Sequence, residues 1–597
     1  MKPVFRFPFR RAALRGLFLA TFLAVGATFS FFPAEAQTPP VFSKMIVFGD
    51  SLSDTGNVRK RMEDTFLLSY PGGDFNYSDG RFTNSSDTDP GSPVYVGVWY
   101  EQLARTFLNL PVPGPSLNGG SNYSFGGGTT ENGTKEITVI DNPAPFTGGN
   151  FTVTIDNMGR QMDDYFNQQV IDPAALYVVW GGGNDLFNDD SVANVVATSQ
   201  RVVALVNRLV NGGAKHILVP NVPALGGIPN YRDNPSRQVS LNRASAEYRR
   251  RLNEDLDAYS LTLPTVNPPV IYRLDVWSLF LRLAANPASD GFTDISAPAR
   301  GQSGANPDQF LFWDDIHPTT AAHFVLAREA NRVLSGAVQP VARAVNLSTR
   351  ANVQTGDNVA IGGFIITGPD SKRVVLRGLG PSLTGAGVAG ALADPVLELI
   401  DGAGTSIVVN DNWQESPEAA EISTLGLAPA QQESAILRTL APGNFTVVLR
   451  GVASGTGVGL VEMYDVAASA NSTLANLSTR GAVGVGDGVL IGGIIVGSGD
   501  IAITVVRALG PSLTSAGVSN VLADPTLELY NSNGMQIAAN DDWRTFQPIA
   551  LRAVQLTPLD DREAAIVAPL TPGNYTVVVR GKDQTTGVAL VEVYRIP

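Results

Sequence analysis

The pair His317 and Asp314 is the clearest candidate for chemistry in this sequence. The two residues lie three positions apart in the segment Phe312–Thr319. At this spacing a tight turn lets the carboxylate accept the imidazole Nδ1 proton, so that Nε2 is free to act as a base. The chain has three histidines, and we interpret His216, at the start of a predicted strand, as a structural residue and His323, in a predicted helix, as a solvated or packing residue. His317 is therefore the candidate general base.

A base needs a nucleophile, and Ser51 is placed to be one. It follows the apolar run Met45–Phe48, which is typical of a buried parallel strand, and it stands where that strand turns into a helix. A serine at this edge of an α/β sheet can be activated by a nearby base. The pattern therefore indicates acyl-transfer chemistry through a serine.

Several other chemistries are excluded by what the sequence lacks. It has no cysteine, so thiolate nucleophiles, cysteine metal sites and disulfides are ruled out. It also has no G-x-S-x-G elbow, no G-K-[ST] phosphate loop and no H-E-x-x-H zinc motif. An ordinary α/β-hydrolase, a phosphate-loop protein and a zinc protease are therefore disfavoured.

The segment from Val41 to about Gly336 alternates apolar β-type runs with amphipathic helical stretches. This alternation predicts a doubly wound α/β domain with a parallel sheet, whose ligand crevice lies at the carboxyl ends of the strands. The predicted strands are Met45–Phe48, Leu176–Trp180 and Ile217–Pro220, and the predicted helices are Val192–Leu209 and Gln238–Leu256.

Four blocks of this segment occur in a fixed order: Phe48–Asn57, Asn122–Gly128, Gly182–Asp185 and Asp314–Pro318. Together they resemble the GDSL, or SGNH-type, hydrolase family. The resemblance implies a flavodoxin-like fold over residues 41–336 and an esterase or lipase that needs no metal and no other cofactor. Gly80–Asn84 and Asn221–Gly226 are also similar to family stretches, although Ser85 and Ala224 depart from the family pattern in ways that bear on substrate choice.

Carried onto this sequence, the resemblance assigns a catalytic triad. Ser51 is then the nucleophile, His317 the general base and Asp314 the group that orients the imidazole. Asp314 is chosen rather than Asp315 because it stands three residues before His317.

The same resemblance assigns an oxyanion hole. Its donors are the backbone N–H groups of Ser51 and Gly127 and the side-chain amide of Asn184. The choice of Gly127 over its glycine neighbours, Gly126 and Gly128, rests on counting from the start of the second block. Such donors stabilise the tetrahedral intermediate of acyl transfer.

The C-terminal half contains a duplication with a constant offset of 130 residues, seen for example where Asn346–Arg350 returns as Asn476–Arg480. Short β-branched runs separated by Gly, Pro, Asn and Asp predict two tandem β-sandwich domains, residues 342–466 and 472–597, each with its own core. The Asn/Asp-rich stretches beside Trp413 and Trp543 are interpreted as turns packed on the core, with calcium or sugar loops as the alternative.

The first 36 residues have the pattern of a secretory signal peptide: Lys and Arg, then an apolar run, then Ala34-Glu35-Ala36. We therefore expect an exported protein whose final place, periplasm, cell surface or medium, stays open. The net charge of −13 argues against nucleic acid as a partner. The repeats are the candidates for contact with a cell surface or a polysaccharide.

The sequence alone leaves three candidate functions. The first is hydrolysis of a carboxylic ester of a lipid, an acylated carbohydrate or a small molecule. The second is a surface binding or adhesion protein whose hydrolase domain has decayed, which the complete set of motif residues disfavours. The third is acyl transfer to an acceptor other than water, which would use the same residues.

Overall fold

The chain folds into two compact units, described by a computed structural model for residues 40–73, 76–85, 95–139, 151–337, 344–467, 470–486 and 488–596. The N-terminal unit spans Pro33–Val338 with Arg552–Gln555, and the C-terminal unit spans Gln339–Leu551 with Leu556–Pro597. The predicted signal peptide and most of the predicted linker at 338–344 lie outside the described residues. Within those residues, no helix has both the length and the apolar character that a membrane span requires.

The N-terminal unit alternates strands and helices. Its strands are β1 (Met45–Gly49), β2 (Thr134–Val139), β3 (Phe151–Asp156), β4 (Leu176–Trp180), β5 (His216–Pro220), β6 (Val270–Leu274), β7 (Asp294–Pro298) and β8 (Phe310–Phe312). Its helices are α1 (Asn57–Phe66), α2 (Trp99–Gln102), α3 (Met158–Gln168), α4 (Gly183–Asn188), α5 (Val192–Gly212), α6 (Pro235–Ser260), α7 (Val276–Ala285) and α8 (Thr320–Leu334). The predicted strands and helices are all present, with longer helices than predicted.

The main sheet has the order β1-β4-β5-β6, and every pairing in it is parallel. A short extended segment adds to the free edge of β1, because Val47 N–H donates to the Ser121 carbonyl at 3.1 Å and accepts, through its own carbonyl, from Tyr123 N–H at 2.8 Å. The segment at Ser121–Tyr123 thus lies on one side of β1, and the later strands of this sheet, β4, β5 and β6, lie on the other. This reversal confirms the doubly wound fold and puts a ligand crevice at the carboxyl end of β1.

Both faces of the sheet are buried, which explains the continuous apolar strands. Alternate residues such as Phe48 and Val179 share a core with side chains of α3, α5 and α6. On the opposite face, Trp180 meets Trp99 of α2 edge to face at 5.3 Å between ring centroids. The sheet is therefore a rigid layer between helices, and the loops at its carboxyl ends are anchored on it.

The C-terminal unit is built of antiparallel strands. In the first copy of the repeat they are β9 (Ala344–Val353), β10 (Ala360–Thr367), β11 (Lys372–Leu379), β12 (Pro395–Asp401), β13 (Ser406–Asn410), β14 (Ser434–Leu440), β15 (Gly443–Gly451) and β16 (Gly457–Asp465). In the second they are β17 (Thr473–Val483), β18 (Leu490–Val496), β19 (Ala502–Leu509), β20 (Pro525–Asn531), β21 (Gln536–Asn540), β22 (Ala564–Leu570), β23 (Gly573–Gly581) and β24 (Gly587–Ile596). Short helices α9 (Pro381–Gly385), α10 (Ala419–Thr424) and α11 (Pro548–Ala553) lie between them.

The two copies are joined through their first strands. Strand β9 pairs with β16 of its own copy and with β18 of the other, and β17 pairs with β24 of its own copy and with β10 of the other. A side chain at Gly363 or Gly493 would collide with Ser478 or Ser348 of the exchanged strand, so these glycines permit the approach. One core contains residues of both copies, where the sequence led us to expect two separate ones. The boundaries 342–466 and 472–597 stay a prediction.

The Asn/Asp-rich stretches form turns closed by their own amides. Asn410 Nδ2 donates to the carbonyl two residues further on at 3.0 Å, and its Oδ1 accepts from Ala435 N–H at 2.8 Å. Asn540 makes the same two bonds in the second copy. Trp543 is buried and Trp413 is half-buried. This arrangement supports the interpretation as turns on the core.

The second copy brings the carboxylates of Asp524, Asp541 and Asp542 within 4.8 Å of one another. Lys582 of the same copy lies beside them, with Nζ at 2.7 Å from Asp541 and at 3.5 Å from Asp524. A lysine therefore supplies countercharge to this cluster.

Candidate active site

Ser51 lies directly after β1, in a turn fixed by backbone and carboxylate hydrogen bonds. The Asp50 carbonyl accepts from the N–H groups of Ser53 and Asp54 at 3.1 and 2.9 Å. The Asp54 carboxylate then accepts from three successive N–H groups at the start of α1, at 2.8, 2.8 and 3.1 Å. Because a helix N-terminus presents unpaired N–H groups, this aspartate both begins α1 and sets the angle of the serine turn.

The three residues predicted to form a triad are hydrogen-bonded in series. Ser51 Oγ lies 2.9 Å from His317 Nε2, and His317 Nδ1 lies 2.8 Å from Asp314 Oδ2. An ionised carboxylate only accepts, so Nδ1 carries the proton and the lone pair of Nε2 faces the serine hydroxyl. The serine comes from the end of β1 and the other two from the loop between β8 and α8, where His317 lies 266 residues after Ser51.

The Asp314 carboxylate is held from several directions. Its Oδ1 accepts the backbone N–H groups of Ile316 and His317 at 2.8 and 2.6 Å, and its Oδ2 accepts the hydroxyl of Tyr77 at 2.7 Å. Burial by itself raises the pKa of Asp314, but the charge of His317 and these hydrogen bonds outweigh it and hold the pKa well below its usual range. The carboxylate is therefore ionised and fixed in orientation, as an imidazole-orienting group must be.

Unpaired N–H donors border the serine. In the described part of the chain, the backbone N–H groups of Ser51 and Gly127 have no hydrogen-bond partner, whereas Gly126 N–H donates to Asp54 at 2.9 Å and Gly128 N–H donates to Phe125 at 3.0 Å. This difference supports the choice of Gly127 among the three glycines. Its φ of +80° lies in the left-handed region that favours glycine.

Asn184 brings a side-chain amide to the same place. Its Nδ2 donates to the Gly128 carbonyl at 2.9 Å, which fixes the amide plane and leaves the second amide hydrogen available. It lines the same cavity as Ser51, Gly127 and His317. Preset donors around one point are the arrangement that stabilises a developing oxyanion.

Side chains from the segments Phe48–Asn57 and Gly80–Asn84 also hold these loops together. Asn57 Nδ2 donates to the carbonyls of Asn122 and Ser124 at 2.9 Å each, which joins the serine turn to the glycine loop. Asn84 forms two hydrogen bonds with Thr320, at 2.9 and 2.8 Å, and so ties the Gly80–Asn84 segment to the start of α8. The segment next to His317 is therefore held in place by residues far away in sequence.

Sequence reasoning missed three neighbours of the triad. Tyr77 donates to Asp314, and Arg300 lies over the Tyr77 ring at 4.3 Å with Nη1 at 3.1 Å from its hydroxyl. Phe82 stacks on the His317 ring at 5.1 Å between centroids. Phe82 lies in the segment Gly80–Asn84, whose similarity to the family could have identified it. Tyr77 and Arg300 lie in no recognisable sequence motif.

The other two histidines occupy structural positions. His216 is half-buried, with its ring against Phe42 and Tyr272. His323 is fully buried in α8, and burial, with a smaller contribution from the charge of His317, lowers its pKa to about 3. It is a neutral packing residue at ordinary pH, and the option of a solvated position is excluded.

A cavity of about 700 Å³ opens at Ser51, His317, Gly127 and Asn184. Asp50 also faces it, and burial raises the pKa of this carboxyl to about 6, with partial offset from the Leu52 N–H and the charge of His317. The cavity joins the nucleophile, the base and the unpaired donors in one space, which is large enough for a small organic substrate. This geometry is that of a serine hydrolase.

Comparison with known proteins agrees with this class. Residues 45–330 match the family model described as GDSL-like Lipase/Acylhydrolase, and this part of the chain belongs to that family. The N-terminal unit is therefore a domain of the lipase/acylhydrolase type.

Individual relatives cover the same half of the chain. An uncharacterized protein from the trpE-trpG intergenic region of Pseudomonas putida is 30% identical over 322 residues, 50% of this chain and 49% of that protein. A phosphatidylcholine-sterol acyltransferase of Aeromonas hydrophila is 26% identical over 343 residues, 49% of this chain and 91% of that protein. A solved structure of a lipolytic G-D-S-L family member from Veillonella parvula shows 14% identity and a TM-score of 0.25, over 49% of this chain and 97% of that one. The chain thus spans about half the length of the Pseudomonas putida relative.

Proposed function

We propose that the protein hydrolyses carboxylic esters, with Ser51 as nucleophile, His317 as general base and acid, and Asp314 as the orienting group. The observation that carries this proposal is the 2.9 Å contact between Ser51 Oγ and His317 Nε2, beside donors that have no partner among the described residues. A serine hydroxyl becomes an effective nucleophile when an oriented base removes its proton.

The reaction follows from this geometry. His317 Nε2 takes the Ser51 proton as Oγ attacks the ester carbonyl, and the oxyanion is bound by the N–H groups of Ser51 and Gly127 and the amide of Asn184. The imidazolium, stabilised by Asp314, then protonates the leaving alkoxide. A water molecule enters, gives its proton to Nε2 and attacks the acyl-serine, which releases the acid and restores the serine hydroxyl.

We also propose that the protein acts after export. The support is the order of charged, apolar and small residues over positions 1–36. Cell fractionation with detection of the processed N-terminus tests this proposal, and an unprocessed cytoplasmic protein would contradict it. We likewise propose that the C-terminal unit contacts a cell surface or a polysaccharide. A pull-down on cell-wall polysaccharide tests this proposal.

The test of the hydrolase proposal is the turnover of p-nitrophenyl acyl esters by the mature protein. We expect Ser51→Ala to lower kcat by about 10⁴-fold or more. Thr138→Val is the matched control, because it removes a hydroxyl that lines the same cavity but belongs to neither the triad nor the oxyanion donors. Equal rates for wild type and Ser51→Ala, or no turnover in either, would reject the mechanism and favour a binding protein with a decayed site.

Acyl transfer to an alcohol is the second candidate, because the relative from Aeromonas hydrophila is a phosphatidylcholine-sterol acyltransferase. The same acyl-serine would be resolved by an alcohol in place of water. Analysis of products with an alcohol acceptor present separates the two functions. An ester product in excess of free acid identifies a transferase, and free acid alone identifies a hydrolase.

A further inference from the structure

The C-terminal unit contains a cavity of about 390 Å³ at the place where its two copies meet. The floor of this cavity is one face of four adjacent strands. Strand β16 pairs with β9, β9 with β18, and β18 with β23. Two of these strands belong to the first copy and two to the second, so the floor exists because the copies are joined.

The register of these strands aligns polar residues in two rows across the floor. The first row consists of Glu462, Ser348, Gly493 and Thr576, and the second, two residues along each strand, consists of Tyr464, Asn346, Ile495 and Asn574. Residues two positions apart on a strand face the same side, and all eight line the cavity. A Cβ at Gly493 would lie 2.3 Å from Ser348 Oγ, so this glycine keeps the middle of the floor open.

Ser348 and Asn346 are buried and have polar atoms that the protein does not use. Their exposed fractions are 3% and 4%. Among the described residues, Ser348 Oγ has no hydrogen-bond partner. Asn346 donates its Nδ2 to the Met463 carbonyl at 3.2 Å, but its Oδ1 has no partner in the same part of the chain. Since polar atoms of buried side chains are nearly always paired, these two atoms indicate a polar ligand in the cavity that they line.

The matching place in the second copy differs. Ser478, which stands 130 residues after Ser348, donates its hydroxyl to the Gly363 carbonyl at 3.3 Å. The walls of the cavity include three small residues that are replaced by larger ones at the same offset: Gly385, Ala428 and Ala430 become Ser515, Pro558 and Asp560. The first copy therefore combines a free hydroxyl with open walls, and this combination does not follow from the repeat itself.

The charged groups of the cavity already have partners. Arg377 Nε pairs with Glu462 at 2.8 Å. Glu433 accepts three backbone N–H groups at 2.9 Å each. Among the described lining residues there is therefore no unpaired cation that would attract an anionic ligand. The groups that remain are hydroxyls and amides, which both donate and accept hydrogen bonds.

Apolar side chains complete the walls, namely Leu379, Leu383, Leu460 and Ile495. A sugar ring presents hydroxyls at its edge and C–H groups on its faces, so it matches a site that mixes hydroxyl, amide and aliphatic groups. The volume lies within the range of roughly 300–1,000 Å³ that small-molecule sites occupy.

We propose that this cavity binds a neutral saccharide segment of a polysaccharide. The inference rests on the proposed contact of the C-terminal unit with a polysaccharide and gives that contact a site. Ser348 and Asn346 bind sugar hydroxyls from the floor, and the row that continues to Thr576 and Asn574 places both copies against the same ligand.

The experiment is calorimetry of the full mature chain with xylotriose, cellotriose and laminaritriose. We expect at least one of them to bind with a Kd below about 1 mM. Ser348→Ala should weaken this binding about fivefold, because one hydrogen bond to the sugar is lost. Ser478→Ala is the matched control and should stay within about twofold of wild type, because the hydroxyl it removes is bonded to Gly363.

A second pair of variants tests the cavity by filling it. A Cβ at Gly385 meets no described atom within 4 Å, so Gly385→Trp can fold and place its ring at the cavity. It should weaken binding at least tenfold. Ser515→Trp, at the matching exposed position of the second copy, should have little effect. Trigalacturonate, whose carboxylates would find no unpaired cation, should bind at least tenfold more weakly than the neutral trisaccharides.

The outcomes separate this site from the contact on which it rests. Saccharide binding that Ser348→Ala and Gly385→Trp leave unchanged would overturn the inference, as would retention on cell-wall polysaccharide without binding of any of the three trisaccharides. In both cases the proposed polysaccharide contact would stand, through another surface. Neither retention nor binding would reject the contact and the site together. Trigalacturonate that binds as tightly as the neutral sugars would overturn the assignment of a neutral ligand.

Discussion

An arginine site in the C-terminal unit and the N–H donors beside Ser51 in the N-terminal unit differ in how their hydrogen-bonding groups are used. In the C-terminal unit, Arg377 is buried and every part of its guanidinium is used: Nε bonds Glu462 at 2.8 Å, Nη1 bonds a backbone carbonyl at 3.2 Å and Nη2 bonds Tyr464 at 3.0 Å. Arg507 repeats these contacts in the second copy. In the N-terminal unit, by contrast, donors at Ser51 and Gly127 are left unpaired within the described residues.

This contrast separates two reasons for which a polar side chain is retained. The arginine sets of the C-terminal unit recur at the same offset of 130 residues, and each satisfies the hydrogen-bonding groups of a largely buried side chain. The unpaired donors of the N-terminal unit belong to half-buried residues that line a cavity, where a ligand can accept from them. Arginine sets that recur in both copies thus indicate a structural role here, and unpaired donors beside the cavity at Ser51 indicate a catalytic role.

The largest effect is expected when one partner of the buried Arg377–Glu462 pair is removed. Arg377→Ala leaves the buried Glu462 without its partner and should lower the free energy of unfolding of the C-terminal unit by about 3–5 kcal/mol, with ester turnover unchanged. Arg450→Ala is the control, because Arg450 pairs with Glu398 at 2.6 Å but is 41% exposed; its loss should cost about 1 kcal/mol or less. Calorimetry of the full chain measures both, and similar losses in the two variants would contradict the contrast.

The next effect removes an unpaired donor. Asn184→Ala should lower kcat by about 10²–10³-fold with little change in KM, because the amide acts on the oxyanion and not on the ground-state ester. Asn188→Ala, at the exposed end of the same helix, is the control and should keep full activity. A matching loss in the control, or an effect confined to KM, would argue against the assigned donor.

A smaller effect tests a closed set inside the N-terminal unit. Although burial alone raises the pKa of Asp275, the charge of Arg249 and hydrogen bonds from Arg249, Asn221 and Ser278 lower it to about 2. A folded-state pKa below the unfolded value stabilises the fold at pH above the unfolded pKa, and this contribution is lost as the pH falls through the folded pKa.

Asp275→Asn should therefore destabilise the N-terminal unit by about 1–2 kcal/mol at pH 6, allowing for the partial exposure of the carboxylate. The difference from wild type should shrink as the pH falls from 4 towards 2. Urea titrations across this range measure it, with the exposed Asp233→Asn as control. A difference that stays constant with pH would disprove the linkage.

The smallest effect concerns Tyr77. Tyr77→Phe removes the hydrogen bond to Asp314 and the one from Arg300, and should lower kcat by about fivefold, which corresponds to about 1 kcal/mol in the transition state, without altering KM. Tyr95→Phe is the control. If kcat is unchanged, the hydroxyl packs near the triad without positioning it.

More of the catalytic triad than of the fold of the repeats could be predicted from the sequence. With three histidines in the chain and an aspartate three residues before one of them, His317 and Asp314 could be selected from local spacing. The preference for Gly127 rested on counting, and its physical reason, the use of the neighbouring N–H groups by Asp54 and Phe125, depends on contacts that no local pattern shows. Tyr77 and Asp314 meet across 237 residues, and no sequence period links them.

For the repeats, the sequence predicted the strands but not how the two copies pair. A gapless duplication is compatible with two separate sandwiches and with two copies that exchange strands, because the apolar pattern of each strand is the same in both cases.

The exchanged first strands have a consequence for the origin of the C-terminal unit. A polypeptide with a single copy would leave its β10 edge without the strand that pairs there, and exposed edges of this kind recruit another chain. Two such polypeptides could satisfy each other through the same reciprocal pairings, which is the arrangement of a two-fold symmetric homodimer. The present chain is then a fused dimer, and we expect the fragment 344–467 made alone to sediment as a dimer; a stable monomer would refute this origin.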